Sequence, residues 1–255
     1  MMRFASLGSG SSGNGLVVES GDTRVLLDCG FGPEEVAARC SRLGFDPADF
    51  DAILVTHEHS DHGGGVARLA ALHEIPVYLT RGTLSGLGPE GREIASRVLI
   101  DPYTPFTIGA IEVRPFTVPH DAREPVQFVL SDGAVKLGVL TDAGRPTPHI
   151  VEVLSGIHAL VLECNYDLDM LRGGPYPRWL KDRIGGPLGH LANFASAEIV
   201  RAMDCVNLKH VIAAHLSKQN NTPELARAAL AGALGCAAEW IGIATQDDGF
   251  AWKEI

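Results

Sequence analysis

Three histidines and one aspartate fall within six consecutive positions of the chain, from His57 to His62. Neutral imidazole and carboxylate groups are the ligands that borderline divalent metals prefer. The group lies inside a periodic globular sequence, which distinguishes it from a His-rich tract that scavenges metal loosely. One ion needs only three or four protein ligands, so four candidates packed this closely favour two ions. The sequence predicts a metal centre built around His57, His59, Asp61 and His62.

The elements that must position this cluster are visible on both sides of it. The apolar run 52–55 precedes it and predicts a buried strand, and three glycines at 63–65 allow a sharp turn after it. Three other apolar runs end in the same way, at His120, Asp142 and His215. Each of these alone could cap its strand, but the repeated pattern predicts ligands delivered from four strand ends. In layered α/β proteins sites commonly lie at such ends.

The wider pattern contains two β-rich stretches, each followed by helical segments. Strands are predicted at 4–7, 16–19, 24–27, 52–55, 77–79, 111–118, 127–130, 135–140, 159–162 and 211–213. Helices are predicted at 33–43, 66–72, 150–154, 195–203 and 223–230. The arrangement favours an α+β class, with two sheets face to face and helices outside, a four-layer αββα sandwich. No long linker divides the chain, so residues 1–255 are predicted to form a single domain.

Composition limits the possible functions. The chain has 255 residues, 45% of them hydrophobic and 20% charged, which is ordinary for a soluble globular protein. It shows no run of 18 apolar residues and no secretory signal at its start, so neither a membrane span nor export is expected. Five cysteines without a Cys-x-x-Cys motif suit reduced thiols and a cytoplasmic location. Each of these cysteines could bind zinc, although a buried structural role is favoured.

Charge bears on the substrate. A net charge of −10 argues against a broadly basic surface for nucleic acid, but it leaves room for a local basic groove. Residues 171–190 carry four basic residues against one acid, with Tyr176 and Trp179 interleaved. Basic side chains track phosphates and aromatic rings offer stacking platforms. The alternative is a solvated loop. The glycine-rich segment 8–14 could present backbone N–H groups to a phosphate, or it could be a plain hairpin turn.

The order of these residues along the chain resembles that of the metallo-β-lactamase superfamily. The resemblance covers nearly the whole chain and implies the αββα fold with a two-metal centre. It implies that His57, His59 and His120 hold the first metal, that Asp61, His62 and His215 hold the second, and that Asp142 bridges them. It also implies that Asp28 supports the ligand loops from behind. A simple turn cap is the alternative for Asp28.

Four further segments narrow the resemblance to nucleases. Segment 189–193, Gly-His-Leu-Ala-Asn, is similar to the tRNase Z branch, in which that histidine protonates a leaving oxygen, and segment 214–221 is similar to a ligand motif of the same nucleases. Segments 6–14 and 162–167 are similar to the YycJ/WalJ-like group of 5′→3′ exonucleases of double-stranded DNA. Only 47 residues separate Asp142 from His190, which leaves no room for the inserted domain of β-CASP nucleases. The long arm of tRNase Z is also missing, so tRNA maturation is not expected.

These observations predict a dinuclear metal-dependent phosphodiesterase that acts on nucleic acid, in particular a 5′→3′ DNA exonuclease. The expected cofactors are two divalent ions, zinc or manganese. The predicted catalytic residues are His190, Asp61 and Asp142. The predicted substrate contacts are Arg178, Lys181, Asn193 and Ser217.

Two other classes of function remain. A thioester or lactone hydrolase of glyoxalase II type would use the same metal centre without needing His190 or the basic segment. A metal-dependent sensor or scaffold would need no catalysis, but a complete ligand set with an open position argues against it.

Overall fold

The computed structural model describes residues 1–255 and contains fourteen strands and ten α-helices. The strands are β1 (Met2–Gly8), β2 (Gly15–Ser20), β3 (Thr23–Leu27), β4 (Ala52–Leu54), β5 (Val77–Leu79), β6 (Arg97–Leu99), β7 (Phe106–Ile108), β8 (Ile111–Thr117), β9 (Val126–Ser131), β10 (Lys136–Leu140), β11 (Ala159–Glu163), β12 (His210–Ala214), β13 (Gly242–Ile243) and β14 (Phe250–Glu254). The helices are α1 (Pro33–Arg42), α2 (Ser60–Gly63), α3 (Val66–His73), α4 (Arg81–Gly86), α5 (Pro89–Glu93), α6 (Pro148–Leu154), α7 (Leu168–Gly173), α8 (Arg178–Ile184), α9 (Asn193–Ala202) and α10 (Pro223–Leu234). None of the helices combines the length and the apolar character that crossing a membrane requires.

The strands form two mixed sheets of seven strands each. The first has the order β14-β1-β2-β3-β4-β5-β6, and the second has the order β13-β12-β11-β10-β9-β8-β7. Strands β3 to β6 are parallel to one another, as are β10 to β13. Strand β8 also runs in the direction of β10, because β9 is antiparallel to both. The strands that precede the predicted ligands therefore all end at a common edge of their sheet.

Apolar side chains fill three interfaces, so the molecule has four layers. Between the sheets lie buried residues from both, including Phe4, Leu54, Phe128 and Leu130. Helices α1 and α3 cover the outer face of the first sheet, and α6, α9 and α10 cover that of the second. Parallel strands covered on both faces are apolar throughout, which explains the continuous apolar runs in the sequence. The predicted αββα sandwich is confirmed.

Several short elements were not predicted. Strands β6, β7 and β13 have only two or three residues, too few for a periodic signal, and all three residues of β6 are exposed. Helices α7 and α8 were not predicted either, and α8 buries none of its residues. Strand β14 did carry a signal, because Phe250 and Trp252 alternate with smaller or polar residues. It pairs antiparallel with β1 and closes that side of the first sheet.

Glycines beside the cluster are needed for close packing rather than for unusual backbone angles. Gly65 has φ −104°, which any residue can adopt. A Cβ at Gly65 would overlap the carbonyl oxygen of Phe31, and one at Gly30 would overlap that of Asp61. The loop after β3 and the loop that carries the cluster thus pack backbone against backbone.

Gly65→Ala is therefore expected to destabilise the protein by at least about 1–3 kcal/mol, the usual cost of overpacking a close-packed interior. Urea unfolding of the variant and the parent measures the difference. Gly232→Ala is the matched control, because Gly232 is an exposed helical glycine in α10 with no atom within 4 Å of the added Cβ. This control should stabilise by about 0.5–1 kcal/mol, and equal stability of the two variants would refute the packing argument.

Candidate metal centre

All seven predicted ligands converge at the common edge of the two sheets. They come from the ends of four strands and from one short helix: His57 and His59 follow β4, Asp61 and His62 lie in α2, His120 follows β8, Asp142 follows β10 and His215 follows β12. All seven are buried or half-buried, and six of them form two compact groups of three. The sequence pattern of ligands after strand ends thus corresponds to one place in the fold.

The first group consists of three imidazoles. Nε2 of His57 lies 3.1 Å from Nδ1 of His59, and the same Nδ1 lies 3.2 Å from Nε2 of His120. Three ring nitrogens this close face one point, which is a common ligand set for a divalent metal. All three ligand atoms lie within 4.8 Å of one another.

The second group combines Asp61, His62 and His215. Oδ2 of Asp61 lies 3.3 Å from Nε2 of His215 and 3.5 Å from Nε2 of His62. These ligand atoms also lie within 4.8 Å of one another. A mixed set of two imidazoles and a carboxylate suits the same class of ions.

Asp142 lies between the two groups. Its Oδ2 is 2.9 Å from Nε2 of His62, and its Oδ1 is 3.9 Å from Nε2 of His120. Oδ2 is buried yet has no hydrogen-bond partner of acceptable geometry. Leaving a buried charged acceptor unsatisfied is costly, and a cation between the groups would satisfy it. The donor set and this unpartnered oxygen fit divalent metal ions.

The second ring nitrogen of four ligand histidines is held by the protein, so that the other nitrogen faces the cluster. Such outer partners fix the tautomer and orientation of a ligand. The Nδ1 atoms are paired as follows: His57 with Thr56 Oγ1 at 3.0 Å, His62 with Asp28 Oδ2 at 2.7 Å, His120 with Gly189 O at 3.0 Å and His215 with Glu163 Oε1 at 3.1 Å.

Asp28 lies behind the cluster, where the family resemblance implies it. Its carboxylate accepts hydrogen bonds from the backbone N–H and the hydroxyl of Thr56, both at 2.8 Å, in addition to His62 Nδ1. It is almost fully buried. Asp28 thereby ties the end of β3 to the start of the ligand loop and orients His62, which is more than a turn cap does.

Backbone strain is concentrated at this centre. Only four residues other than glycine have a positive φ, and three of them are Asp28 at 63°, Asp142 at 54° and His215 at 54°. This left-handed conformation is uncommon for residues with a side chain, and it persists only where the surroundings enforce it. At each of these three residues the backbone turns sharply immediately after a strand, and this turn directs the side chain toward the cluster.

Electrostatics at the centre favour positive charge. Burial opposes protonation of His62, but the carboxylates of Asp142, Asp28 and Asp61 outweigh burial and raise its pKa well above the ordinary value. Burial likewise opposes ionisation of Asp142, but His215 and His62 hold its pKa well below the usual range. The carboxylate of Asp142 therefore stays charged and favours a positive charge beside it.

Glu163, which the sequence reasoning missed as a site residue, is a central buried carboxylate. Its Oε1 lies 2.8 Å from Nδ1 of His190 and 3.1 Å from Nδ1 of His215. Its Oε2 accepts from the backbone N–H groups of Ala143 and Leu191. Glu163 ends strand β11, next to the strands that precede Asp142 and His215. The repeated pattern of a carboxylate or imidazole at a strand end could have identified it.

His190 lies beside the ligand groups and opens into a cavity. Besides Glu163, its Nδ1 has Asp142 Oδ1 at 3.2 Å, while its Nε2 has no protein partner. Burial opposes protonation, but the carboxylates of Glu163 and Asp142 raise the pKa of His190 well above the ordinary value. The cavity in front of it has a volume of about 370 Å³ and is also lined by Asp61 and His215. His190 is thus placed to present a proton to a molecule in that cavity.

The four predicted substrate contacts lie outside this cavity. Arg178 and Lys181 line a neighbouring groove of about 550 Å³ on the other face of α8. Asn193 is buried and exchanges amide hydrogen bonds with Asn221, at 2.8 and 2.9 Å. Ser217 is buried, and its Oγ accepts from the backbone N–H of Asn220. Both side chains are therefore buried and hydrogen-bonded within the protein.

The glycine-rich segment 8–14 joins β1 to β2 and lies over the second ligand group. The side-chain amide of Asn14 donates to the backbone oxygen of Asp61 at 3.2 Å and lies 3.1 Å from Nε2 of His62. Gln246 accepts from the backbone N–H of Ser12 and donates to Gly13 O. Ser11 lines the cavity. The segment is a hairpin turn that also supports the Asp61 loop.

The cysteines do not contribute to either ligand group. All five are free thiols, and Cys29, Cys40 and Cys164 are buried. Burial raises the pKa of the Cys164 thiol to about 12, and that of Cys29 to about 12. A thiol must ionise to bind metal well, so burial disfavours metal binding by these two thiols.

The two groups of imidazoles and carboxylates at the shared edge of an αββα sandwich define a metal-dependent hydrolase. Residues 23–216 match the family described as "Beta-lactamase superfamily domain", and the chain belongs to this family. The resemblance to the metallo-β-lactamase superfamily is confirmed, and the chain is an enzyme of the metallo-hydrolase class.

Two relatives are similar over most of their length. The chain is 35% identical over 232 residues to "Exodeoxyribonuclease YycJ" of Bacillus anthracis, covering 89% of this chain and 86% of the relative. It is 31% identical over 247 residues to "Exodeoxyribonuclease WalJ" of Streptococcus pneumoniae serotype 2, covering 94% and 91%. Among solved structures, Zn²⁺-bound PqqB from Methylobacterium extorquens aligns with a TM-score of 0.77 at 17% identity, covering 99% of this chain and 100% of that one. The likeness to PqqB concerns the fold.

Proposed function

We propose that this protein is a dinuclear metal-dependent phosphodiesterase that acts on nucleic acid as a 5′→3′ DNA exonuclease. The observation that carries the proposal is the near full-length similarity to two exodeoxyribonucleases, at 35% and 31% identity. In the proposal residues 1–255 act as one unit, in the cytoplasm, where the free thiols stay reduced.

The proposed ligands follow the two groups. His57, His59 and His120 would hold one ion, Asp61, His62 and His215 a second, and Asp142 would be shared. Zinc and manganese both suit imidazole and carboxylate ligands. Such ions supply Lewis acidity, which makes water a nucleophile at neutral pH and offsets charge on the phosphate oxygens.

His190 would act on the leaving group. Its Nδ1 is held by Glu163 and Asp142, so a proton on Nε2 faces the cavity. An alkoxide leaving group is strongly basic and must be protonated as the P–O bond breaks, and general acids of this kind contribute roughly 10²–10⁴-fold. A thiolate leaves without such help, because thiols ionise with a pKa of about 8.5. A positioned acid therefore favours phosphodiester substrates over thioesters.

The glyoxalase II type of activity is the second candidate, since it would need the same metal centre. Hydrolysis of bis(p-nitrophenyl) phosphate and of S-lactoylglutathione, each with zinc and with manganese, separates the two. We expect turnover of the phosphodiester. End-labelled single- and double-stranded DNA and RNA then define the nucleic acid, and early release of the 5′ label from DNA is expected. Turnover of the thioester alone would refute the proposal.

The groove beside α8 gives a prediction about substrate grip. Replacing Arg178 and Lys181 with alanine should weaken binding to duplex DNA and flatten its salt dependence, because each phosphate contact contributes about 0.9 to the slope of log affinity against log salt. Binding is measured at several salt concentrations with metal-depleted protein, so that cleavage does not interfere.

Hydrolysis of bis(p-nitrophenyl) phosphate should remain nearly unchanged in that double variant, because its two residues lie outside the site cavity. The matched control replaces Arg201 and Lys209, two exposed cations with no side-chain partners. If the slope of log affinity against log salt equals that of the control, the basic segment 171–190 is a solvated surface.

A further inference from the structure

Arg183 is the only lysine or arginine that lines the site cavity. It lies on the face of α8 that closes this cavity, opposite the face that carries Arg178 and Lys181. The same cavity is lined by three carboxylates, those of Asp61, Asp121 and Asp142. A guanidinium, which stays charged at every relevant pH, is well placed among these carboxylates and imidazoles to meet an anionic substrate.

The carboxylate of Asp121 holds the guanidinium of Arg183 in place and leaves its terminal N–H donors free. Nε of Arg183 donates to Oδ2 of Asp121 at 2.7 Å, and its two terminal nitrogens have no protein partner. Oδ1 of Asp121 lies 3.5 Å from Nε2 of His120, so the pair adjoins the first ligand group. The backbone N–H of Asp121 donates to Leu188 O, which ties its loop to the segment after α8.

Stability alone does not account for this pair. The Arg183 side chain is 57% exposed, and exposed ion pairs contribute little to folding. The free terminal N–H groups form a planar fork that matches two oxygens of a phosphate. A lysine ammonium at this position would supply the positive charge but not the planar fork of two N–H donors.

We propose that Arg183 binds the non-bridging oxygens of the scissile phosphate and thereby selects phosphodiesters over neutral esters, with Asp121 as its positioning residue. This inference rests on the proposed phosphodiesterase function and names the group that recognises its substrate class.

The test compares an anionic and a neutral substrate. Arg183→Ala should lower kcat/KM for bis(p-nitrophenyl) phosphate by roughly 10- to 100-fold, the range for one charge-assisted hydrogen bond. Turnover of p-nitrophenyl acetate and the metal content should stay at the parental level. Arg183→Lys should restore part of the loss, and Arg201→Ala, an exposed arginine on α9, should change nothing. Inhibition by thymidine 5′-phosphate should weaken in Arg183→Ala.

The role of Asp121 is tested by a double-mutant cycle. If Asp121 acts by holding Arg183, Asp121→Asn should raise KM for the phosphodiester in the parent and have little further effect in Arg183→Ala. Additive effects would show that Asp121 acts separately and would overturn its positioning role.

The outcomes separate the two levels of the proposal. A parent that cleaves no phosphodiester would refute the proposed function. Inhibition of p-nitrophenyl acetate turnover by thymidine 5′-phosphate would still test whether Arg183 binds a phosphate. A parent that cleaves phosphodiesters, with the same substrate preference and the same inhibition in Arg183→Ala, would overturn the inference.

Discussion

Asp142→Ala is expected to lose bound metal and nearly all hydrolytic activity. Asp142 is the one carboxylate placed between both ligand groups, 2.9 Å from Nε2 of His62 and 3.9 Å from Nε2 of His120. Removing it would take one ligand from each proposed ion. The loss should therefore exceed the roughly 10- to 100-fold that removal of an outer partner of a ligand costs. Elemental analysis and hydrolysis of bis(p-nitrophenyl) phosphate measure the two effects.

Two further variants make this result interpretable. Asn tolerates the φ of 54° at this position better than alanine does, so Asp142→Asn keeps the turn while removing the charge. It should fold like the parent and still lose metal. Asp22→Ala removes an exposed carboxylate from the turn between β2 and β3 and should change neither quantity. A fully loaded, active Asp142→Ala protein would refute the shared-ligand assignment.

The seven proposed ligands could be predicted from sequence because each directly follows an apolar strand or lies in the short helix after one. Strand direction then decides whether these ligands come together, because parallel strands end at one edge of a sheet. Strand β8 shows how topology matters, since only the antiparallel pairing of β9 with both neighbours brings His120 to the same edge as Asp142.

Side chains that act through long-range contacts were harder to predict. Glu163 becomes a site residue because its carboxylate meets His190, 27 positions later, and His215, 52 positions later. The pair of Arg183 and Asp121 joins α8 to the loop after β8 across 62 positions. Helix α8 buries no residue, and its two half-buried apolar residues, Leu180 and Ile184, are too few to show by periodicity which of its cations faces the cavity.

His190→Ala is expected to keep the metal content of the parent yet lose most turnover on substrates with poor leaving groups. His190 contacts Glu163 and Asp142 through Nδ1 and belongs to neither proposed group. Because it also forms a compact set with Asp142, Glu163 and His215, retention of metal in this variant distinguishes a proton donor from a ligand. The loss on DNA should be about 10²–10⁴-fold, the usual contribution of a general acid.

The leaving group of the substrate tests the role of this histidine. p-Nitrophenolate departs without a proton, so bis(p-nitrophenyl) phosphate should lose far less activity than DNA does in His190→Ala. His149→Ala, which removes an exposed histidine at the start of α6, is the matched control and should leave both activities intact. Equal losses on the two substrates, with the metal retained, would show that His190 binds the phosphate. Equal losses with less metal would show that it is a ligand, and either result would refute the role of His190 as proton donor.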